Sequence, residues 1–439
     1  MNSAAQVPLL AGLHATEQGR QPAWRQQVRD AAWQWLAAHG FPAAKDEAWK
    51  YTRVAPILAL PFQPAAAQPI RRLAAARLAQ WLGDYAGPRL VFVNGHFVAA
   101  LSALAGLPAG VQLSNLAALP EAQRAVLEPL LAQALQEAPH AFSALNVALG
   151  EDGAVLQIPA HTRLEQPIHL VFLTDPADAP LATQPRTLVR VGSGSRAILV
   201  ESHVACGSGV YLSNALSQIV LEAGAELEHY SLQDASRSAY HLARLDVRQA
   251  RDSRFNAHLT ACGGAIARHE VRVVLEGPGA QVTLDGLYLL GGEQHLDNQT
   301  CIEHLAPHCT SRERYKGVLG GRAHGVFDGR IIVRPGAIKT DASQTVKNLL
   351  LSASARANAQ PRLEIFADDV QCAHGAAVGQ LDRQALFYLR SRGLDGPAAQ
   401  ALLTYAFVSE MLEAIRLEPL RPQVERLVAA QLHSLEVAP

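Results

Sequence analysis

The middle of the chain, between about residues 142 and 380, consists of short alternating apolar runs that end at glycine-bearing turns. These runs include HLVFL, RAILVE, QIVLE, EVRVVLE and RIIVR. An alanine follows Gly224, Gly279 and Gly336, and these Gly-Ala steps are 55 and 57 residues apart. Regular recurrence of short strands is typical of a stacked solenoid, here with about two coils per repeat. A β-sandwich would explain the strands but not the recurrence. The sequence therefore predicts a mainly β fold with a β-solenoid core.

Helical patterns flank this region on the N-terminal side. Residues 22–39 carry an apolar stripe at helical spacing, followed by Gly40 as a stop signal; its members are Trp24, Val28, Ala31, Trp35 and Ala38. Residues 71–82 and 121–137 are further helix candidates. Between them, Asn94-Gly95 separates two apolar runs and predicts a two-residue hairpin. We expect a mostly helical region over residues 1–141.

Helical spacing returns after Gln380. The run LDRQALFYLRSRG ends at Gly393, with Arg390 and Arg392 in its last turn, where cations suit the helix dipole. Asp395 is placed as the N-cap of a second helix that runs to about Leu417, and residues 422–435 form a third. These helices either cap the end of the solenoid or provide a docking surface. The predicted domains are thus residues 1–141, 142–380 and 381–439.

Composition places the chain in a reducing compartment. Its 38 Lys and Arg against 39 Asp and Glu give a formal net charge of −1, which provides no general attraction for nucleic acid or anionic membrane. No apolar run reaches the roughly 20 residues that span a bilayer, and the N-terminus does not read as a secretory signal. Five scattered cysteines without a C-x-x-C motif indicate free thiols. We expect a cytoplasmic protein.

Cys372 and His374 are the strongest candidate metal ligands. In an extended backbone, residues i and i+2 project from the same face, about 6.6 Å apart along the strand. Asp368 shares this parity as a more distant candidate, and Gly375 and Gly379 mark the end of the run. Iron–sulfur clusters and structural zinc usually take four ligands, so the other ligands would come from elsewhere in the chain or from a partner. The alternative is a buried cysteine beside a structural histidine.

A second cluster of cysteine and histidine lies in the segment CIEHLAPHC. If the segment is extended, Cys301 and Cys309 lie on one face, and His304 and His308 lie on the other. A helix would align three of them, but Pro307 interrupts it. The roles of these four residues stay open. A Gly-Ser-Gly step at residues 192–194 precedes a strand-like run rather than a helix, which excludes a dinucleotide fingerprint there, and no phosphate-binding G-x-x-x-x-G-K-[ST] motif occurs.

Longer motifs give the chain a family resemblance. The segments EHLAPHCTSRERYKGVLGGRAHGVFDGRIIV, IKTDASQTVKNLLLSASA and DDVQCAHGAAVGQLDRQALFYLRSRGL resemble the SufB/SufD family of the SUF iron–sulfur cluster assembly machinery. Together they cover roughly residues 303–394, and KDEAWKYT at residues 45–52 is similar to the N-terminal signature of that family. Gly375 stands where the SufB branch typically has glutamate, and no long cysteine-bearing N-terminal insertion is present. Both features resemble the SufD branch.

The resemblance implies a right-handed parallel β-helix core and a non-catalytic scaffold role. It implies pairing with SufB through the β-helix and binding of the ATPase SufC through the C-terminal helices; a homodimer without SufB is left open. His374, with Cys372 as its neighbour, would lie where a transient iron or iron–sulfur cluster is shared with SufB, and the chain alone would bind no cofactor stably. The alternatives are a SufB-like subunit that holds its own cluster and a β-helix enzyme acting on polysaccharide.

Overall fold

The computed structural model describes residues 8–14, 23–43, 45–65, 78, 81, 85, 87–119, 130, 133, 135, 140–176 and 179–436. The helix candidates at residues 71–82 and 121–137 fall almost wholly outside these ranges. The described α-helices are α1 Pro8–His14, α2 Ala23–His39, α3 Ala55–Leu58, α4 Ala141–Leu149, α5 Arg383–Ser391, α6 Gly396–Glu413 and α7 Arg421–Glu436.

The strands divide into two sheets. Sheet A contains β1 Gln63–Pro64, β4 Gln112–Asn115, β5 Ala154–Ile158, β7 Leu181–Thr183, β8 Arg186–Val191, β10 Tyr211–Leu221, β12 Tyr240–Gln249, β14 Ile266–Leu275, β16 His295–His304, β18 His324–Val333 and β20 Arg356–Ile365. Sheet B contains β2 Arg89–Val93, β3 His96–Phe97, β6 Ile168–Thr174, β9 Arg196–Ala205, β11 Glu226–Ala235, β13 Arg254–Gly263, β15 Gln281–Leu290, β17 Thr310–Leu319, β19 Asp341–Leu350 and β21 Gln371–Gly379.

The chain alternates between the two sheets and builds a parallel β-solenoid, which confirms the predicted fold class. From β8 to β21 each strand pairs in parallel with the next strand of its own sheet, so Glu226 is in register with Arg254 and Arg254 with Gln281. Gly224 (φ 67°) and Gly279 (φ 73°) occupy turns in a left-handed conformation that glycine adopts without strain. The Gly-Ala steps therefore mark every second coil, as their spacing predicted.

The core between the sheets follows the two-residue period of the strands. In sheet B the inward residues include Leu227, Phe255 and Val282, which stack at one register position on three successive strands. Residues of the other parity, such as Tyr230 and Leu287, face outward and belong to a separate apolar cluster. This alternation decides which side chains can meet inside the solenoid.

The N-terminal region confirms one prediction and corrects another. Asn94 (φ 52°) and Gly95 (φ 84°) form the predicted tight turn between β2 and β3. The predicted apolar stripe of α2 is right in part. Val28 and Trp35 are half-buried and pack against the core, but Ala31 and Ala38 are exposed, and the fully buried apolar residues are Ala32 and Leu36. The side chain of Trp24 lies outside the described residues. The helix packs mainly against α4. Strands β1 and β4 belong to sheet A, and β2 and β3 belong to sheet B, so the N-terminal region extends both sheets of the solenoid.

The C-terminal helices lie along the side of the solenoid. Val408, Met411 and Leu412 of α6 pack with outward residues of sheet B, and α7 adds Val424 and Val428 to the same cluster. For α6 and α7 the alternative of capping the solenoid's end is therefore wrong, because these two helices cover the outer apolar face of the middle strands. Helix α6 has the predicted N-cap: the Asp395 carboxylate accepts a hydrogen bond from the backbone N–H of Ala398 at 2.8 Å. This helix ends at Glu413, one turn before the predicted Leu417.

The two ends of the solenoid differ. At the N-terminal end β4 pairs antiparallel with β5, and the β2–β3 hairpin borders sheet B. At the other end β20 and β21 are the last strands of their sheets, and most of their side chains are exposed or half-buried. No helix in the described ranges is long and apolar enough to cross a membrane.

Candidate metal site at the open end of the solenoid

The structure places Cys372 and His374 on the last strand of sheet B, on one face, as their spacing predicted. Cys372 is in register with Ala342, and His374 is in register with Gln344. Ala342 and Gln344 are buried inward-facing residues, so both candidate ligands face the solenoid interior. No further coil covers them in the described part of the chain. Cys372 is half-buried and packs on the core, whereas His374 is exposed.

The open end leaves the pair accessible but incomplete. Burial raises the pKa of the Cys372 thiol, and nearby Asp341 raises it further, which disfavours the thiolate that binds metal. A metal cation at this end would oppose both effects. Among the described residues, no group of three or more Cys, His, Asp and Glu side chains is arranged to hold a metal ion. The two side chains form at most half of a four-ligand site.

Asp368 does not join Cys372 and His374 as a third candidate ligand, and Gly375 does not end the strand. Asp368 lies in a bend before β21, and Asp369 beside it has a positive φ of 54°, so the two-residue alternation from Cys372 does not extend to Asp368. Gly375 is not held close to another part of the chain, because a Cβ added there would meet no atom within 4 Å. The strand ends at Gly379, as predicted.

The segment CIEHLAPHC does not gather its cysteines and histidines. His304 is the last residue of β16, faces inward, and shares a hydrogen bond with Ser311 at 3.0 Å. The chain then turns through His308, whose φ is 61°. Because of this turn Cys309 is buried in the core together with His304, so the predicted pairing of faces is wrong. Cys301 faces outward on β16.

Cys301 lines a cleft of about 460 Å³ on the outer face of sheet A. Its register neighbours are Arg272 on β14 and Arg330 on β18. Trp49, in the N-terminal segment that resembles the family signature, covers one side and stacks on Arg268 at 3.9 Å. Burial raises the pKa of the Cys301 thiol, although Arg330 lowers it in part. The sequence signature thus serves at least to fix the N-terminal segment on sheet A.

A buried polar cluster inside the solenoid was missed in the sequence. The Glu201 carboxylate accepts from Ser217 at 3.0 Å, lies 3.0 Å from His203 Nε2, and is 3.4 Å from His229 Nε2. His269 lines the same cavity of about 50 Å³, which has room for about three water molecules. The run RAILVESH carried the signal, because Glu201 and His203 share the parity of the apolar residues before them.

Fold and site together define a parallel β-solenoid protein with a cysteine and a histidine side by side at an end that the described chain leaves uncovered. Comparison with known proteins gives the family. The model for "SUF system FeS cluster assembly, SufBD core domain" matches residues 172–407, and the "SufBD protein N-terminal region" matches residues 16–170. The chain belongs to the SufBD family of the SUF iron–sulfur cluster assembly system.

Similar proteins support membership of this family over more than 90% of the chain. An iron–sulfur cluster assembly SufBD family protein of Synechocystis is 33% identical over 411 residues, covering 92% of this chain and 90% of that protein. The iron–sulfur cluster assembly protein SufD of Escherichia coli is 31% identical over 405 residues, covering 91% of each chain. A chloroplastic protein of Arabidopsis thaliana, ABCI7, is 29% identical over 415 residues, covering 93% and 86%.

Proposed function

We propose that this protein is a non-catalytic, cytoplasmic scaffold subunit of the SufD type. In this role it pairs with SufB through the open end of the solenoid, binds the ATPase SufC through its C-terminal helices, and shares a transient iron or iron–sulfur cluster with SufB at His374 and Cys372. The observation that carries the proposal is the uncovered last coil, where two soft ligands face an opening that the described chain does not fill.

Edge strands explain why this end suits a partner. β20 and β21 are 10 and 9 residues long, and each has a neighbouring strand on one side only. Such edges present unpaired backbone N–H and C=O groups, which favour pairing with strands of another chain. A second solenoid placed against this end would extend both sheets and cover the interior face of β21. It would also bring its own side chains close to Cys372 and His374.

Ligand chemistry agrees with cargo shared between two chains. A thiolate and an imidazole are both iron–sulfur ligands, and four are normally required. Two ligands from this chain would bind iron weakly and reversibly, while a partner could complete the set. This is the behaviour expected of an assembly scaffold rather than of a protein that keeps its cluster.

The test is a His374→Ala variant expressed anaerobically with the SufB and SufC candidates of the same organism. We expect an intact fold, because His374 is exposed, and an intact complex, because the backbone of the edge strands rather than this one side chain would hold SufB. Iron in the complex should fall, and so should the activity of a client iron–sulfur enzyme in a strain that depends on this pathway. Gln371→Ala is the matched control, since Gln371 is exposed on the same strand and has the opposite parity. Equal client activity in both variants would contradict the proposal.

A SufB-like subunit that houses its own cluster is the second candidate, and Cys372 is the observation that favours it. It would bind iron and sulfide in stoichiometric amounts after anaerobic reconstitution of the isolated protein. A scaffold that shares its site would retain iron only in the presence of SufB. Analysis of iron and sulfide with and without the partner therefore separates the two.

A further inference from the structure

One inward-facing carboxylate lies beneath the open end and has no cationic partner among the described residues. Glu313 on β17 is 1% exposed, and its Oε2 accepts a hydrogen bond from Gln344 Nε2 at 2.5 Å. Its other oxygen, Oε1, has no hydrogen-bond partner in the described part of the chain. An ionised carboxylate in such surroundings is costly, so a residue of this kind needs a functional or structural reason.

Strand register connects this carboxylate to the open end. Glu313 is in register with Gln344 on β19, and Gln344 is in register with His374 on β21. With strands about 4.8 Å apart, Glu313 and His374 are roughly 10 Å apart, with one amide side chain between them. Glu313 is too far away to be a metal ligand without displacement of Gln344. It can act only through Gln344 and through the field of its charge.

No cationic side chain lies among the described inward-facing neighbours of Glu313. Burial raises the pKa of Glu313 to about 7, against the lowering effects of Gln344 and Thr300. The inward-facing neighbours are neutral or apolar, namely Ser311 and Tyr315 on its own strand, Leu284 on β15, Gln344 on β19, Thr300 on β16 and Phe327 on β18. Two of the nearby groups titrate outside the neutral range: the Tyr315 pKa lies well above normal, and burial lowers the His304 pKa to about 4.

We propose that Glu313, acting through Gln344, is a positioning residue that supplies the counter-charge for a cation held at Cys372 and His374. The inference rests on the proposed function, because it concerns the same site. When Fe²⁺ binds, the neutral carboxylic acid releases its proton to solvent and the carboxylate remains in the solenoid. Without iron the protonated form is retained, so the apo protein loses stability as pH rises from about 4.5 through 7.

The size of the coupling follows from distance. Fe²⁺ bound by the Cys372 thiolate has a net charge of +1, and two unit charges about 10 Å apart at an effective dielectric constant of about 20 alter each other's binding roughly tenfold. The effect is reciprocal, so Fe²⁺ favours loss of the proton by the same factor with which the ionised carboxylate favours Fe²⁺. This tenfold factor is reached in full only well below and well above the Glu313 pKa of about 7, so between pH 6 and pH 8 Fe²⁺ affinity should rise about fivefold more with Glu313 than without it.

The experiment measures Fe²⁺ affinity and proton release anaerobically between pH 6 and pH 8, on the complex with SufB and SufC. Glu313→Gln keeps the side-chain shape and removes the ionisation; we expect a flatter pH dependence and less proton release per Fe²⁺ near pH 6.5. Glu364→Gln is the matched control, because it removes a partly exposed carboxylate from the outer face of the neighbouring strand β20. Should Glu313→Gln not fold, Glu313→Met replaces it with an apolar chain of similar length.

The outcomes separate the two proposals. An equal pH dependence and equal proton release in the wild type and Glu313→Gln overturn the role of Glu313 and leave the proposed function standing. A change in apo stability alone, without a change in Fe²⁺ binding, likewise overturns it and assigns Glu313 a structural role. Absence of Fe²⁺ binding in the wild-type complex overturns both.

Discussion

Single residues inside the solenoid make its stability depend on pH. Histidines 203, 241 and 269 form a row, with ring centroids 5.1 and 5.3 Å apart. His241 Nε2 and His269 Nε2 are buried and have no hydrogen-bond partner among the described residues. Burial lowers the pKa of His269 to about 3, because a charged imidazolium there would lose its hydration. His241, whose pKa burial also lowers, and His269 are therefore neutral in the folded protein at pH 7.

Because His269 binds a proton more readily in the unfolded chain, the free energy of unfolding depends on pH with a definite sign. Between about pH 6.5 and pH 3 the unfolded chain binds a proton at His269 and the folded chain does not, so stability falls as pH falls through this window. His269→Leu should reduce the slope of unfolding free energy against pH by up to about 1.4 kcal/mol per pH unit. Urea unfolding between pH 6 and pH 4 measures the slope.

The control for this prediction is His308→Asn. His308 lies in an exposed turn outside the histidine row, and asparagine tolerates its positive φ, so this variant tests whether the loss of any histidine alters the slope. An unaltered slope in His269→Leu would show that another group dominates acid unfolding.

Elements at the C-terminus differ in how they are held. α6 and α7 bury an apolar face on sheet B, and Lys316 fixes α6 by donating to the Phe407 carbonyl at 2.8 Å. α5 has no buried residue, and its Phe387 and Tyr388 are 74% and 63% exposed. Leu402 and Tyr405 on α6 are also exposed. Exposed aromatic side chains such as these are enriched at interaction surfaces.

If SufC binds the C-terminal helices, polar substitutions of the exposed aromatic residues of α5 should weaken that binding. Phe387→Ser combined with Tyr388→Ser should lower the affinity for SufC at least tenfold, since aromatic anchors carry much of the energy of an interface. Folding should be unaffected because α5 contributes nothing to the core. Titration of purified SufC against the full-length protein measures the change.

Leu104→Ser is the control for the double variant, because Leu104 is also an exposed apolar residue (46%) but belongs to the N-terminal region rather than to the C-terminal helices. Substitution is preferable to truncation here. Removing α6 and α7 would uncover the apolar outer face of sheet B, and loss of binding could then reflect aggregation. Unchanged SufC affinity in the double variant would place the docking surface elsewhere.

The whole molecule is asymmetric along the solenoid axis. Strands from the N-terminal region cover one end, whereas at the other end the outer edges of β20 and β21 pair with no strand in the described ranges. Val378 lies on β21, at the same parity as His374, and is 47% exposed at this open end. Soluble solenoids require polar or capped ends, so an apolar side chain at an uncovered edge indicates a contact with another chain.

A charge at this edge tests the open end as an interface. Val378→Lys should weaken assembly with SufB, and any self-association through this end, because a partner strand would bury the ammonium group. Size-exclusion chromatography with light scattering and co-purification with SufB measure both effects. Thermal stability of the monomer should change little, since the side chain is half exposed.

Lys347→Leu is a useful comparison, because it adds an apolar side chain to the outward face of the adjacent strand β19 and leaves the open end unaltered. Normal assembly in Val378→Lys would exclude this end as the contact with SufB.

The sequence by itself determined the solenoid, the hairpin at Asn94-Gly95 and the shared face of Cys372 and His374. Each of these depends on a local rule, either the two-residue period of a strand or the positive φ of a tight turn. Such rules hold as long as the strand continues. They failed for Asp368 and Cys309 because a residue with positive φ ended the alternation between these positions and the strand.

Only the tertiary structure decided what lies above and below each side chain. Residues 284, 313, 344 and 374 are about thirty positions apart in the chain, and strand register alone stacks them into one column. The same holds for the histidine row, for the helices along the side of sheet B, and for the open end that leaves His374 exposed. These features depend on contacts between distant coils, which no local sequence pattern specifies.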